Sequence, residues 1–217
     1  MKTMSAKRRA IKGLYAITPD ETDTAELLRK VRLALQGGAQ VLQYRNKSAE
    51  AALKAQQALA LRQLTREFDT TLIVNDDVQL ASQVGADGVH LGGEDGSVAA
   101  ARAVLGGAGI IGVSCYNRAP LALEAARQGA DYVAFGAFFP SSVKPEAVKA
   151  DVQLLRSVRA ELNVPIVAIG GITAQNGAAL IEAGADALAV ITALWDAADI
   201  EQAAREFSNL FRQGRTA

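Results

Sequence analysis

Short apolar runs rich in β-branched residues alternate along the chain with longer stretches in which apolar side chains recur every three to four positions. The first pattern suits a strand buried on both faces and the second an amphipathic helix, so their alternation predicts βαβ units feeding a parallel sheet. The strand candidates are Gly13 to Thr18, Val41 to Tyr44, Leu72 to Val74, Gly88 to His90, Ile110 to Ser114, Tyr132 to Phe135, Ile166 to Ile169 and Ala187 to Val190. Helices are expected between them, among them Thr24 to Gln36, Ala49 to Phe68, Leu121 to Gln128 and Asp151 to Leu162. The pairs number about eight, as a closed (β/α)8 barrel requires.

An internal repeat supports that count. Gly38-Ala39-Gln40, Gly85-Ala86-Asp87, Gly129-Ala130-Asp131 and Gly184-Ala185-Asp186 each follow a helix and precede a strand, at the second, fourth, sixth and eighth positions. Glycine suits the left-handed turn that ends a helix, and a small alanine lets the chain re-enter the sheet closely. A doubly wound open sheet uses similar turns, but the Gly-x-Gly-x-x-Gly of its first loop is missing after Thr18. The expected architecture is therefore α/β, a single-domain (β/α)8 TIM barrel over residues 13–212, with a basic arm over 1–12 and a short tail over 213–217.

Charge and cysteine usage narrow the function. Across 217 residues, 23 Lys and Arg balance 23 Asp and Glu, which argues against a strongly basic nucleic-acid binder and favours a small-molecule ligand. The single cysteine, Cys115, cannot form an internal disulfide, and neither a secretory apolar segment nor a run of membrane length is visible. A cytoplasmic enzyme without a membrane partner is expected, and a homo-oligomer stays open.

In a barrel, function lies at the C-terminal ends of the strands. The second strand candidate runs on into Gln43-Tyr44-Arg45-Asn46-Lys47. In an extended chain Gln43, Arg45 and Lys47 share one face and Tyr44 and Asn46 the other. Such a comb is either a solvated strand end or a clamp for an anion. The third strand is followed by Asn75-Asp76-Asp77, the fourth by His90 and then Glu94-Asp95, and Ser114 ends the fifth. Phe139-Pro140-Ser141-Ser142-Val143-Lys144 follows the sixth, Gly170-Gly171-Ile172-Thr173 the seventh, and Ile191-Thr192 the eighth.

Cations and carboxylates thus share one mouth. Exposed pairs of this kind form without function and stabilise by only about 0 to 1 kcal/mol. Mg²⁺ with a polyphosphate accounts for the mixture better, because Mg²⁺ takes one or two carboxylates and completes its shell with phosphate oxygens and water. Lys and Arg would neutralise the remaining oxygens. The Gly170-Gly171 turn and Ile191-Thr192 suggest a second phosphate site, built from backbone N–H groups in the seventh and eighth loops.

Other polar residues read as structural. His90 is expected to be packed and hydrogen-bonded, Asp77 to cap the helix starting near Val78, and Glu94 to be a loop carboxylate. Tyr44, opposite the cations, reads as packing, and Cys115 as a buried thiol beside Tyr116. Thr173 is expected to cap the helix that follows it.

The stretches "GLYAITPD", "QYRNK", "LIVNDD", "GADGVHLGGED", "GVSCY", "FGAFFPSSVK", "VAIGGIT" and "GADALAVIT" fall on successive strands, and together they resemble the thiamine-phosphate synthase family from about Gly13 to Trp195. The resemblance implies a barrel transferase that joins 4-amino-2-methyl-5-hydroxymethylpyrimidine diphosphate to a thiazole phosphate, or to its carboxylated form, and releases diphosphate with Mg²⁺. It implies catalytic roles for Arg45, Lys47, Ser114 and Lys144. The pyrimidine diphosphate would be held by the Gln43 to Lys47 stretch, including Tyr44 and Asn46, together with Asn75, Ser114 and Lys144. Asp76 and Asp95 would bind the metal. Ser141, Ser142, Val143, Gly171, Ile191 and Thr192 would seat the thiazole phosphate. The family mechanism is dissociative and needs no protein nucleophile, in keeping with one histidine and one cysteine.

One position departs from the family pattern. Val143 stands where a threonine usually precedes the lysine of the sixth loop, so a side-chain hydroxyl is lost there. The competing functions are a tautomerase acting on one thiazole phosphate, a non-catalytic barrel binding thiazole phosphate or pyrimidine, and a phosphate-sugar isomerase using Asp76 and Asp95 as an acid/base pair.

Overall fold

The computed structural model describes residues 10–93, 96–140 and 148–213. Eight strands close into a barrel in sequence order, with every neighbouring pair parallel. They are β1 (Gly13–Ile17), β2 (Val41–Tyr44), β3 (Thr71–Asn75), β4 (Gly88–Leu91), β5 (Ile110–Tyr116), β6 (Tyr132–Phe135), β7 (Ile166–Ile169) and β8 (Ala187–Val190). Helices α1 (Thr24–Gln36), α2 (Ala51–Glu67), α3 (Val78–Gln83), α4 (Val98–Leu105), α5 (Ala119–Arg127), α6 (Val152–Arg159) and α7 (Gly177–Glu182) return the chain between strands. After β8 come α8 (Thr192–Trp195) and α9 (Ile200–Gln213).

The strands read as continuous apolar runs because both of their faces are buried. Leu14, Leu42, Leu72, Val89, Ile111, Val133, Ile166 and Leu188 face the helices in one large cluster. Tyr15, Ile17, Val41, Ile73, Ile110, Tyr132, Val167 and Ala189 alternate with them and fill the barrel interior. In α1, Leu27, Val31, Ala34 and Leu35 supply the helical apolar stripe, and Asp23 caps the helix by accepting from the N–H groups of Ala25 and Glu26.

Some boundaries differ from the sequence reading for identifiable reasons. Helix α5 begins at Ala119 rather than Leu121 because Pro120 is accommodated in the first turn. Helix α6 stops at Arg159 rather than Leu162, and the Arg159 guanidinium donates to the carbonyls of Leu162 and Val164 just beyond. Helix α7 starts at Gly177, so Thr173 does not cap it; Asn176 instead closes the preceding turn by accepting from Thr173 N–H at 2.8 Å and donating to Gly171 O at 3.0 Å. Ile11, placed in the arm by sequence, is buried with the interior cluster. The remainder of that arm, and the tail beyond Gln213, lie outside the described residues.

The four Gly-Ala-Asp or Gly-Ala-Gln turns all place glycine at positive φ, from +62° at Gly85 to +111° at Gly184. The aspartates do more than follow a turn. Asp87 accepts from Leu72 N–H at 2.8 Å, Asp131 from Ile111 N–H at 2.9 Å and Asp186 from Ile166 N–H at 2.8 Å. Each returns its own N–H to the carbonyl of that same residue. Arg62 of α2, Arg102 of α4 and Arg159 of α6 then pair with Asp87, Asp131 and Asp186 at 2.8, 2.6 and 2.8 Å. Three aspartate locks therefore tie the even strands to the odd ones at the N-terminal face, leaving the opposite face for chemistry.

Candidate active site

A cavity of about 650 Å³ opens at the C-terminal ends of the strands, a volume suited to small-molecule ligands. Its floor is a hydrogen-bonded chain of interior side chains. Gln43 Nε2 donates to Tyr15 Oη at 2.8 Å, the Tyr15 and Tyr132 hydroxyls share a bond at 2.8 Å, Tyr132 Oη meets His90 Nδ1 at 3.0 Å, and His90 Nε2 meets Ser114 Oγ at 2.8 Å. Gly112 makes this possible, because any Cβ there would run into the Tyr132 ring. Burial pushes the phenols of Tyr15 and Tyr132 well above their ordinary pKa, so both stay protonated. His90 is thus the packed, hydrogen-bonded residue its sequence context suggested.

The alternation read from the second strand holds as far as Asn46, and Lys47 beyond it is not among the residues that line the cavity. Gln43 and Arg45 line the cavity, whereas Tyr44 and Asn46 turn outward and are buried. Tyr44 Oη donates to Gln57 Oε1 of α2 at 2.9 Å; Asn46 Nδ2 donates to the same oxygen at 3.1 Å and to Glu21 O at 2.7 Å. Strand alternation thus turns Tyr44 and Asn46, both expected in the substrate set, away from the cavity, where they anchor the loop to α2.

The cations are positioned by residues the sequence reading missed. Thr18 Oγ1 accepts from Arg45 N–H and donates to Arg45 O, both at 2.8 Å, stitching the end of β1 to the loop after β2. Asp20 Oδ1 accepts from Arg45 Nη1 at 3.2 Å and from Lys47 N–H at 3.1 Å. Both lie in "ITPD", directly after β1, so their place on the active face was the available signal.

Asn75 lines the cavity, and Asp76 follows it at the end of β3 with φ +62°. Asp76 N–H donates to His90 O at 2.8 Å and its Oδ2 lies 3.6 Å from Lys47 Nζ. Asp77 caps α3 by accepting from Leu80 N–H at 2.8 Å, as expected. Tyr116, at φ +54°, also lines the cavity. Left-handed non-glycine residues cost free energy; of the three among the described residues, Asp76 and Tyr116 belong to the active face and Asp69, at φ +53°, lies in the turn before β3. Cys115 instead points into the outer cluster, and burial pushes its thiol up to about 12.

Across the cavity, Gly171, Thr173, Ile191 and Thr192 form the wall made by the loops after β7 and β8. Gly171 has φ +61°, and a Cβ there would sit 2.7 Å from Phe139 O and against Pro140 O. Trp195 Nε1 donates to Ile17 O at 2.5 Å, fixing α8 to the end of β1. Of the remaining candidates, Glu94, Asp95, Ser141, Ser142, Val143 and Lys144 lie outside the described residues.

The same stretch of chain is found in known proteins. A family model described as thiamine monophosphate synthase matches residues 14–194. The thiamine-phosphate synthase of Methylobacillus flagellatus is 61% identical over 201 residues, covering 93% of this chain and 96% of that protein. The thiamine-phosphate synthase of Azoarcus sp. is 56% identical over 201 residues, covering 93% and 98%. A solved thiamine phosphate pyrophosphorylase from Pyrococcus furiosus has a TM-score of 0.83 and 37% identity, covering 93% of this chain and 96% of that one. Because the likeness extends from β1 to the short helix after β8, and so takes in every described loop that shapes the cavity, this chain belongs to the thiamine monophosphate synthase family.

Proposed function

We propose that this chain joins 4-amino-2-methyl-5-hydroxymethylpyrimidine diphosphate to a thiazole phosphate, releasing diphosphate and forming thiamine phosphate. The observation that carries this reading is the division of the cavity mouth: Arg45, with Lys47 and Asp76 beside it, stands on one side, and the Gly170-Gly171 turn after β7 with Ile191 and Thr192 after β8 stands on the other. Two anionic substrates would thereby meet over a shared floor.

Arg45, Lys47 and Asn75 would hold the diphosphate, with Lys144 joining them from the sixth loop. Asp76 offers Mg²⁺ a hard oxygen donor, and Asp95 is the second carboxylate proposed. Among the described residues no group of three or more His, Cys, Asp or Glu gathers as a metal site, and Mg²⁺ beside a polyphosphate is commonly held by only one or two carboxylates. When bound, Mg²⁺ would supply neutralising charge to the leaving diphosphate. Omitting it is expected to abolish thiamine phosphate formation, and restoring it to recover the activity; full turnover in a chelated sample would refute the metal assignment.

The bond between the methylene carbon and the diphosphate oxygen would break first, the oxygen keeping the electron pair. The aminopyrimidine ring spreads the positive charge left behind, and the thiazole nitrogen then supplies the pair for the new C–N bond. Gln43 and Ser114 would hold the ring, while Arg45, Lys47 and Lys144 stabilise the charge developing on the leaving group. The high pKa of the buried Cys115 thiol agrees with a reaction that uses no thiolate.

Gly171, Ile191 and Thr192, with Ser141, Ser142 and Val143, would seat the thiazole phosphate. Gly171→Ala must strain the left-handed backbone by about 1 to 2 kcal/mol or move the loop. It is therefore expected to raise KM for thiazole phosphate about tenfold, with little change in KM for the pyrimidine diphosphate, as steady-state kinetics would show. Val143→Thr restores a hydroxyl and is expected to lower KM for thiazole phosphate by the equivalent of roughly 0.5 to 3 kcal/mol. An unchanged KM would mean that the side chain at 143 does not reach the phosphate. The molecule would act without a nucleic-acid or membrane partner in the cytoplasm; among the described residues no helix is long and apolar enough to cross a membrane.

A further inference from the structure

The floor of the cavity is a wire as well as a platform. Each tyrosine hydroxyl has one proton to give, and each lies between two partners along the chain Gln43, Tyr15, Tyr132, His90, Ser114. With Gln43 Nε2 donating to Tyr15, the Tyr15 proton goes to Tyr132 and the Tyr132 proton to His90 Nδ1. His90 must then carry its own proton on Nε2 and donate it to Ser114 Oγ, which leaves the Ser114 hydroxyl proton for the cavity. Were the amide turned round, every bond would reverse, and Ser114 would spend its proton on His90.

We propose that His90 is a positioning residue whose tautomer is set through Tyr132 and Tyr15 by the Gln43 amide, so that the hydrogen-bonding characters of Gln43 and Ser114 are coupled across the barrel. This rests on the synthase reading for what occupies the cavity. In the direction that a donating Gln43 Nε2 sets, the floor offers an acceptor at Gln43 Oε1 and a donor at Ser114, which complement an exocyclic amino group and a ring nitrogen. The reversed direction offers a donor and an acceptor, which complement an oxo group and a ring N–H. The chain thereby favours an aminopyrimidine over its oxo analogue at both ends at once. Burial makes the coupling strict, because Gln43 is 3% and His90 8% exposed, and a broken link would leave polar atoms without water.

The sequence contains one histidine, so ¹⁵N-histidine labelling reads this ring without overlap. The ligand-free protein at pH 8 is expected to show a pyrrole-like, protonated Nε2 and a pyridine-like, bare Nδ1. A carboxylate at position 43 can only accept from Tyr15, so Gln43→Glu is expected to move the proton to Nδ1, three hydrogen bonds away. In the Tyr132→Phe background the same change at 43 is expected to leave the ring state unmoved, because the wire is cut. A proton on Nδ1 or on both nitrogens in the unmutated protein overturns the proposal without needing any variant to fold. So does an unmoved ring in Gln43→Glu, or an equal response without the Tyr132 hydroxyl. The measurement requires no turnover: an Nε2-protonated, switchable ring in a protein that forms no thiamine phosphate would support the wiring and refute the synthase reading.

Discussion

Asp76→Asn is expected to lower turnover by about 10²- to 10³-fold while leaving the fold intact. Asparagine is nearly the same size and tolerates the left-handed backbone that Asp76 adopts at φ +62°, so the substitution removes charge without adding strain. What is lost is the anionic oxygen proposed to hold Mg²⁺ and facing Lys47 at 3.6 Å. A loss of that size is typical when one preorganised electrostatic contact to a developing charge is removed. Single-turnover rates across a Mg²⁺ titration check it: the variant should need more Mg²⁺ and remain slow at saturation. Asp76→Ala should be worse in both respects and should also melt earlier, because alanine does not share the tolerance for positive φ.

The second large effect lies at the other end of the barrel and concerns stability. Asp131 accepts from Ile111 N–H and pairs with Arg102 at 2.6 Å, and Arg102 also donates to the carbonyls of Gly109 and Gly129. Asp131→Ala leaves a mostly buried guanidinium without this carboxylate and a strand N–H without its acceptor. The expected cost is about 3 kcal/mol, or roughly 6–12 °C in Tm for a chain of this size. Steady-state constants measured well below that Tm should match the unmutated protein, since no atom of the lock reaches the cavity. Asp131→Asn keeps an acceptor oxygen for Ile111 and should lose less. The two substitutions together test the division of labour between the barrel faces.

The parts of this structure that sequence reveals are those dictated by local pattern. β2, β6, β7 and β8 start and stop where the apolar runs do, because strands buried on both faces leave no other signature. The alternation from Gln43 to Asn46 was legible for the same reason, and it argued for outward Tyr44 and Asn46 even though the family stretch carried them into the substrate set. The missing parts depend on closure. Tyr15 and Tyr132 are 117 residues apart and meet only when β1 and β6 face each other inside the barrel. Likewise the aspartates of the repeat look like turn residues until the neighbouring strand ends come within reach of their side chains. Thr18 and Asp20 sat in a recognised stretch, but their task of holding Arg45 becomes visible only with the β1 and β2 loops side by side.

One mouth of this barrel is proposed to bind both anionic substrates and to promote departure of diphosphate. Diphosphate and thiamine phosphate should be measured in the same reaction, starting from the aminopyrimidine diphosphate, with thiazole phosphate and Mg²⁺ each present or withheld. With all components the two products should appear in equal amounts. Binding of either substrate with no diphosphate released under complete conditions would contradict it, and would make the clamp a binding site rather than a catalytic one.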